Sequence, residues 1–272
     1  MMDVRVLLIG FGNMGQALVK GWLDRGVPAA AIRVVDPAAG ALEAAVKLGV
    51  ARSEAVDAGA LAHAPGVVLL AVKPGQLEEA LRACTGVAAA GPLFLSIAAG
   101  KPIASITRVL GGDTPVVRAM PNTPAAVGRG MTVLTASPRV SAPQRAAAEA
   151  LMAAVGEVAW VDDETLMDAV TAVSGSGPAY VFLLIECLTR AGTAAGLDGA
   201  LAEKLATVTV AGAGAYAAAS GEPAAELRRR VTSPGGTTEA ALRILAAADG
   251  LPDLLERAVR AAAERSRELS QE

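Results

Sequence analysis

From residue 4 to about residue 162, short apolar runs alternate with stretches whose apolar positions recur at helical spacing. The runs at residues 4–9, 32–36, 67–72, 93–97, 116–119, 131–135 and 158–161 are rich in Val, Leu and Ile. Gly, Pro or polar residues bound them, so they read as buried strands. Residues 13–25, 75–83 and 142–154 carry the helical period between them. Strand–helix alternation of this kind predicts an α/β domain with a doubly wound, mainly parallel sheet. The loop Pro121-Asn122-Thr123-Pro124 breaks the rhythm, so the last strands are expected to pair differently. After Asp162 the strand pattern stops. Helices are expected at residues 164–173, 178–195, 198–219, 224–230, 237–248 and 251–269. Between Tyr180 and Cys187 nearly every side chain is apolar. A helix apolar on all sides has to be covered by something. The pattern therefore divides the chain into an α/β domain over 1–162 and an all-helical domain over 163–272 with a large subunit interface. No repeat or Ser/Gly-rich linker separates them.

Composition narrows the function classes. With 53% hydrophobic and 19% charged residues, a 272-residue chain can bury a sizeable core. A net charge of -3 gives no electrostatic footprint for nucleic acid, and the run Arg228-Arg229-Arg230 is too short to supply one. Aromatics at 3% argue against stacking platforms for bases or sugars. Cys84 and Cys187 lack metal-like spacing, so no metal is expected and a reducing, cytoplasmic setting is the simple reading. The first apolar run ends in a glycine loop rather than a signal-peptide cleavage site. No apolar stretch reaches about 20 residues without polar interruption, so no membrane span is expected.

Gly10-Phe11-Gly12-Asn13-Met14-Gly15 is a complete G-x-G-x-x-G placed directly after an apolar run and at the start of a helical one. Its glycines serve a tight turn, close backbone approach to a pyrophosphate, and close helix–strand packing. Asp36 ends the second strand, where a carboxylate accepts hydrogen bonds from the adenosine ribose hydroxyls. It would repel a 2′-phosphate, and Pro37-Ala38-Ala39-Gly40 offers no Arg, Ser or Thr to hold one. This favours NADH over NADPH, unless Lys47 or Arg52 folds back to a phosphate. Ala71-Val72-Lys73-Pro74 and Ser96-Ile97-Ala98-Ala99-Gly100 end two further strands. Small residues there admit a flat ring or a ribose, and Lys73 either reaches a ribose, phosphate or carboxylate or is a solvated loop lysine.

The second chemical signal lies late in the chain, at Val231-Thr232-Ser233-Pro234-Gly235-Gly236-Thr237-Thr238-Glu239. Two glycines, a proline and several hydroxyls sit where a helix should begin. Free N–H groups and a positive dipole end suit a small anion there. Upstream, Ser174-Gly175-Ser176-Gly177-Pro178 looks like a break between helices, with Ser176 able to cap the next one. Its small residues either admit a ligand or simply break the helix. Asn122 and Thr123 either line a crevice or shape a turn. Glu186 is placed to pair with Arg190 at i+4.

With these segments assembled, the chain resembles the pyrroline-5-carboxylate reductases, which complete proline biosynthesis. The resemblance runs nearly end to end. It rests on the glycine fingerprint, Ala71 to Pro74, Ser96 to Gly100, Arg118-Ala-Met-Pro-Asn-Thr-Pro124, Ser174-Gly-Ser-Gly-Pro-Ala-Tyr180 and Ser233-Pro-Gly-Gly-Thr-Thr238. It implies a Rossmann dinucleotide-binding domain followed by an all-helical dimerisation domain. It also implies hydride transfer from NAD(P)H to the cyclic imine of a small-molecule substrate, 1-pyrroline-5-carboxylate, giving L-proline. Members are homo-oligomers, dimers that often build decamers. Carried over by position, the cofactor contacts fall on Gly10, Phe11, Gly12, Asn13, Met14, Gly15, Asp36, Ala71, Val72, Lys73, Pro74, Ala98 and Ala99. The substrate carboxylate falls to Ser233, Gly235, Gly236 and Thr237, contributed by the partner subunit in the family, with the Thr238 hydroxyl at the imine nitrogen and Ser176 nearby. Two departures stand out. Glu222-Pro223-Ala224-Ala225 replaces a His-Pro-Gly segment common in the family, and Asp36 replaces the hydroxyl or basic residues of NADPH-using members.

The residues fit imine chemistry independently. An imine near neutral pH can arrive already protonated, so a site for it needs little acid–base machinery. The single histidine, His63, lies in a stretch expected at the surface, whereas a ketone reductase usually needs a positioned proton donor. Positioning is then the main task. Two other classes compete: a 3-hydroxyacid dehydrogenase-like enzyme, which would need a lysine acid on a central helix of the second domain, where Lys204 is the only lysine, and a dinucleotide sensor without turnover.

Overall fold

The computed structural model describes residues 4–271, and it divides into two compact units. The first comprises the chain up to Gly175 together with the residues from Ala262 onward; the second is Ser176–Ala261. The division falls beyond the end of the strand pattern at residue 162, and the C-terminal residues return to the first unit.

The first unit is built on an eight-stranded sheet. Its strands are β1 (Val6–Ile9), β2 (Ile32–Val35), β3 (Ala51–Ser53), β4 (Val67–Leu70), β5 (Leu93–Ser96), β6 (Val116–Met120), β7 (Gly130–Ala136) and β8 (Gly156–Trp160), in the order β3-β2-β1-β4-β5-β6-β7-β8. Pairing is parallel from β3 across to β6, antiparallel between β6 and β7, and parallel again between β7 and β8. The change of sense has a local cause. Parallel neighbours need a long crossover, and only a short 3-10 turn (Thr123–Val127) separates β6 from β7. Every residue of β1, β4 and β5 is buried, as expected of strands covered on both faces. Alternate side chains feed two cores. Val6, Leu8, Val67 and Leu69 pack with Leu18, Trp22 and Leu151, whereas Leu7, Ile9, Val68 and Leu70 pack with Leu81, Phe94 and Ile106.

Helices fill the intervals: α1 (Asn13–Asp24), α2 (Ala39–Lys47), α3 (Ala58–Ala62), α4 (Leu77–Ala83), α5 (Thr85–Ala88), α6 (Ile103–Leu110) and α7 (Ala142–Ala153). The helix expected at 164–173 is a 3-10 turn (Glu164–Leu166), a short α8 (Met167–Val170) and a π-helical turn (Thr171–Gly175). Glu164 Oε1 accepts from the Ile103 N–H at 2.8 Å and from Arg118 Nη1 at 3.1 Å. This ties the start of α6 and the middle of β6 to one carboxylate.

The second unit holds α9 (Gly177–Ala194), α10 (Gly199–Ser220), α11 (Ala224–Arg230), α12 (Thr237–Leu245) and the first half of α13 (Leu251–Gln271). Asp198 caps α10 through its carboxylate, which accepts from the Ala200 and Leu201 N–H groups. In α9 and α10 only Ala202 and Ala206 are buried, and Val181, Phe182, Leu183, Leu184, Leu188, Leu205 and Val208 are exposed. The helical stretch Glu164–Ala194 is long and apolar enough to cross a membrane by length and composition alone. That departs from the expectation of no such stretch, because helical backbone runs on through Ser174 to Gly177 with little interruption. Arg190 does not pair with Glu186 among the described residues; its Nη2 lies 3.9 Å from Cys187 Sγ.

Candidate active site

Strand order reverses at β1, whose neighbours β2 and β4 are reached by connections of opposite sense. The crevice outside the carboxyl ends of β1 and β4 is the place where such sheets bind ligands. Gly10 follows β1 directly, with φ +92°. Its N–H donates to the Val35 carbonyl at 2.8 Å, and the Ala71 N–H donates to the Ile9 carbonyl at 2.7 Å. The glycine loop and residues 71–74 thus lie side by side at the switch point. A Cβ on Gly10 would come within 2.7 Å of the Ala71 carbonyl oxygen, and one on Gly15 within 2.7 Å of the Gly10 carbonyl oxygen. A Cβ on Gly12 would meet nothing within 4 Å. Two glycines are therefore required by the protein's own packing, whereas the third leaves open space before α1. That space, bordered by the unpaired N–H groups of a helix start, fits a pyrophosphate.

The residues around the loop differ in what they can offer. Phe11 is fully buried in the core, so only its backbone reaches the crevice. Gly12 and Asn13 are exposed, and Met14 is partly so. Ala98 is also a core residue, packed with Ile106 and Val116, and again offers backbone alone. Ala71, Val72 and Ala99 are half-buried, and Lys73 and Pro74 are exposed. Asp36 does more than the sequence suggested. Its Oδ2 accepts from the Phe11 N–H at 2.6 Å and its Oδ1 from the Ala38 N–H at 2.8 Å. One carboxylate therefore holds the glycine loop to the end of β2 and keeps lone pairs for a ribose. Around it, Glu43, Arg52 and Glu54 line a neighbouring cavity.

In the second unit, the Gly236 N–H donates to the Ser233 carbonyl at 3.0 Å, closing a β-turn. Pro234 at its second position and Gly235, with φ +70°, at its third are what a type II turn demands. Gly236 then serves as the N-cap of α12. Glu239, which sequence reasoning left without a role, reaches back so that its Oε2 accepts from the Gly235 N–H at 2.9 Å. The N–H groups of Gly235 and Gly236, both expected to face an anion, are thus spent within the protein. Those of Thr237 and Thr238, in the first turn of α12, have no intramolecular partner among the described residues. The signal for Glu239 was a capping pattern, an acidic residue three positions after the N-cap.

Other expectations shift. Ser176 stands at the start of α9, but its hydroxyl makes no capping bond; its backbone is helical (φ -85°, ψ -23°), and its carbonyl accepts from the Ala179 N–H. A capping side chain needs an extended backbone. Asn122 spends its side chain inside the first unit. Its Nδ2 donates to the Ser174 carbonyl at 3.2 Å and its Oδ1 accepts from the Met131 N–H at 2.9 Å. His63 is half-buried, with Nε2 3.2 Å from the Val6 carbonyl, at the end of β1 remote from the glycine loop. Burial, chiefly, lowers its pKa, and the nearby Arg33 and Arg5 charges add to this against the carbonyl contacts. It is a neutral structural donor, outside the site. Cys84 is buried, and burial raises its thiol pKa to about 11, so it is no nucleophile near neutral pH.

A glycine loop at the switch point of a doubly wound sheet, joined to a helical unit that carries an anion-suited turn, defines a dinucleotide-dependent oxidoreductase of two domains. Residues 164–269 match the family model described as pyrroline-5-carboxylate reductase dimerisation, and residues 5–100 match that described as NADP oxidoreductase coenzyme F420-dependent. The pyrroline-5-carboxylate reductase of Pseudomonas aeruginosa is 46% identical over 98% of this chain and 97% of its own length. The solved structure of the Coxiella burnetii pyrroline-5-carboxylate reductase superposes with a TM-score of 0.93 at 38% identity, covering 99% of both chains. That of the Plasmodium falciparum pyrroline carboxylate reductase with NADP bound superposes at 0.84 with 26% identity, covering 99% of both chains. The chain belongs to the pyrroline-5-carboxylate reductase family.

Proposed function

We propose that this protein reduces 1-pyrroline-5-carboxylate to L-proline with a nicotinamide dinucleotide, the final step of proline biosynthesis. The observation that carries the reading is that one chain holds both an open space at Gly12 that suits a pyrophosphate and, in its other unit, a turn at residues 233–238 that suits a small anion. The dinucleotide supplies the hydride for the C=N carbon. The protein's part is to hold the dinucleotide on the N–H groups at the start of α1, with Asp36 on a ribose and residues 71–74 and Ala98–Ala99 bordering the ring side. The substrate carboxylate is taken by the N–H groups of Thr237 and Thr238, with Ser233 and Gly235 shaping the turn. The Thr238 hydroxyl fixes the ring nitrogen, in its neutral or protonated form. The hydride goes to carbon and the proton belongs on nitrogen. An imine that arrives protonated already carries it, so no side chain has to supply one, which suits a chain whose one histidine lies outside the site.

Two finer readings go with this. The first is a preference for NADH. A 2′-phosphate beside Asp36 would meet Glu43 and Glu54 as well, against the single cation Arg52. The second is assembly through α9 and α10, whose exposed apolar side chains suit a second copy of the chain, with the turn of one protomer serving its partner's cofactor. Steady-state oxidation of NADH and of NADPH by the purified protein, with and without 1-pyrroline-5-carboxylate, tests the reading. Imine-dependent turnover with a higher kcat/KM for NADH is expected. No imine-dependent turnover with either cofactor refutes the function, and a clear NADPH preference refutes the role given to Asp36.

A further inference from the structure

We propose that Glu239 is the positioning residue of the substrate turn, fixing which N–H groups face the substrate carboxylate. This rests on the function proposed above. Its Oε2 is the shared acceptor of two donors, the Gly235 N–H at 2.9 Å and Arg243 Nη2 at 3.1 Å. Arg243 lies one helical turn further along α12, and because its guanidinium donates to the same oxygen, the carboxylate is held between the two donors. The contact has a geometric consequence. The type II turn puts Gly235 at φ +70°, and the N–H held by Glu239 belongs to the central Pro234–Gly235 peptide, the unit whose flip would convert the turn to type I. With the Gly235 N–H held by Glu239 and the Gly236 N–H held by the Ser233 carbonyl, neither is available to an incoming anion. The N–H groups of Thr237 and Thr238 are then the nearest free donors, and they lie at the positive end of the α12 dipole. Arg243 also offsets the charge of Glu239, which would otherwise oppose a second carboxylate close by. A charge-assisted bond to a backbone N–H is a strong tether for so small an element.

The proposal separates shape from charge. Glu239→Gln keeps an oxygen for the Gly235 N–H, whereas Glu239→Ala frees the turn. Steady-state kinetics, dinucleotide titration and amide exchange at Gly235 are measured on the full-length protein and both variants, with Thr238→Ala in parallel. The expected result for Glu239→Ala is a rise of about tenfold in KM for 1-pyrroline-5-carboxylate, the size of one such bond. Its kcat and cofactor Kd should stay close to wild type, and Gly235 exchange should speed up. Glu239→Gln should restore KM to near wild type. An unchanged KM in Glu239→Ala overturns the proposal. So does a Glu239→Gln variant as impaired as Glu239→Ala, or a loss in Glu239→Ala that falls on kcat and cofactor binding together. Should Thr238→Ala also leave the kinetics untouched, it is the turn's role as substrate site that fails, not only the role of Glu239.

Discussion

Gly10 and Gly12 stand two residues apart in one loop, yet the structure demands them for different reasons. Gly10 combines a left-handed backbone with a main-chain neighbour, the Ala71 carbonyl, 2.7 Å from where a Cβ would sit. Neither can shift cheaply, because Ala71 is itself pinned to β1. Gly10→Ala is expected to cost about 2–4 kcal/mol of stability, combining the left-handed penalty with the overlap. Gly12 has φ -71°, acceptable to any residue, and open space around it. Gly12→Ala should leave the unfolding midpoint nearly unchanged and weaken dinucleotide binding by about tenfold or more, since the methyl group occupies the ligand's place. Urea unfolding and a dinucleotide titration of both variants check the pair. A destabilised Gly12→Ala that binds cofactor normally would contradict the assignment of that space.

The junction of β6, α6 and the turn after β8 raises a similar question one level up. Arg118 is 5% exposed, and Glu164 is its only ion-pair partner among the described residues. Glu164→Ala strands a buried guanidinium and removes the acceptor of the Ile103 N–H together, so a loss of about 3–5 kcal/mol is expected. Replacing both partners, Arg118→Met with Glu164→Leu, should recover much of it, because an apolar pair needs no solvation. Chemical denaturation of the single and double variants measures this; a harmless Glu164→Ala would show the pair to be idle. The sequence could not announce this junction, since the partners lie far apart along the chain. What could be read were elements whose own residues decide their fate. The buried runs of β1, β4 and β5 and the glycine loop are of that kind. β3 escaped because Ala-Arg-Ser at a sheet edge carries no apolar run. The π-helical turn at residues 171–175 escaped because distant groups shape it. Asn122 holds the Ser174 carbonyl, and a Cβ on Gly175 would overlap Met120. The late turn was legible as a glycine-rich helix start, but which of its donors stay free was not, because a side chain four residues on decides them.

At the scale of the whole molecule, the second unit does not close on itself. Phe182 and Leu183 are 58% and 57% exposed, on a helix with no buried residue, and α10 adds Leu205 and Val208. Burying one such side chain is worth about 1.5–3 kcal/mol. A face of this size left in water would favour aggregation unless a specific partner covers it. The match of residues 164–269 to a dimerisation family makes a second copy the natural cover. Phe182→Glu and Leu183→Glu are therefore expected to shift the protein from oligomer to smaller species in analytical ultracentrifugation. On the proposed arrangement, in which the substrate turn serves the partner's cofactor, turnover should fall with assembly while dinucleotide binding by the first unit persists. Val127→Glu is the control: Val127 is 76% exposed but sits in the first unit, and single exposed apolar residues are ordinary there. Equal loss of assembly in the control would contradict the placing of the interface on α9 and α10, and full activity in a monomeric Phe182→Glu would mean that each chain is catalytically complete alone.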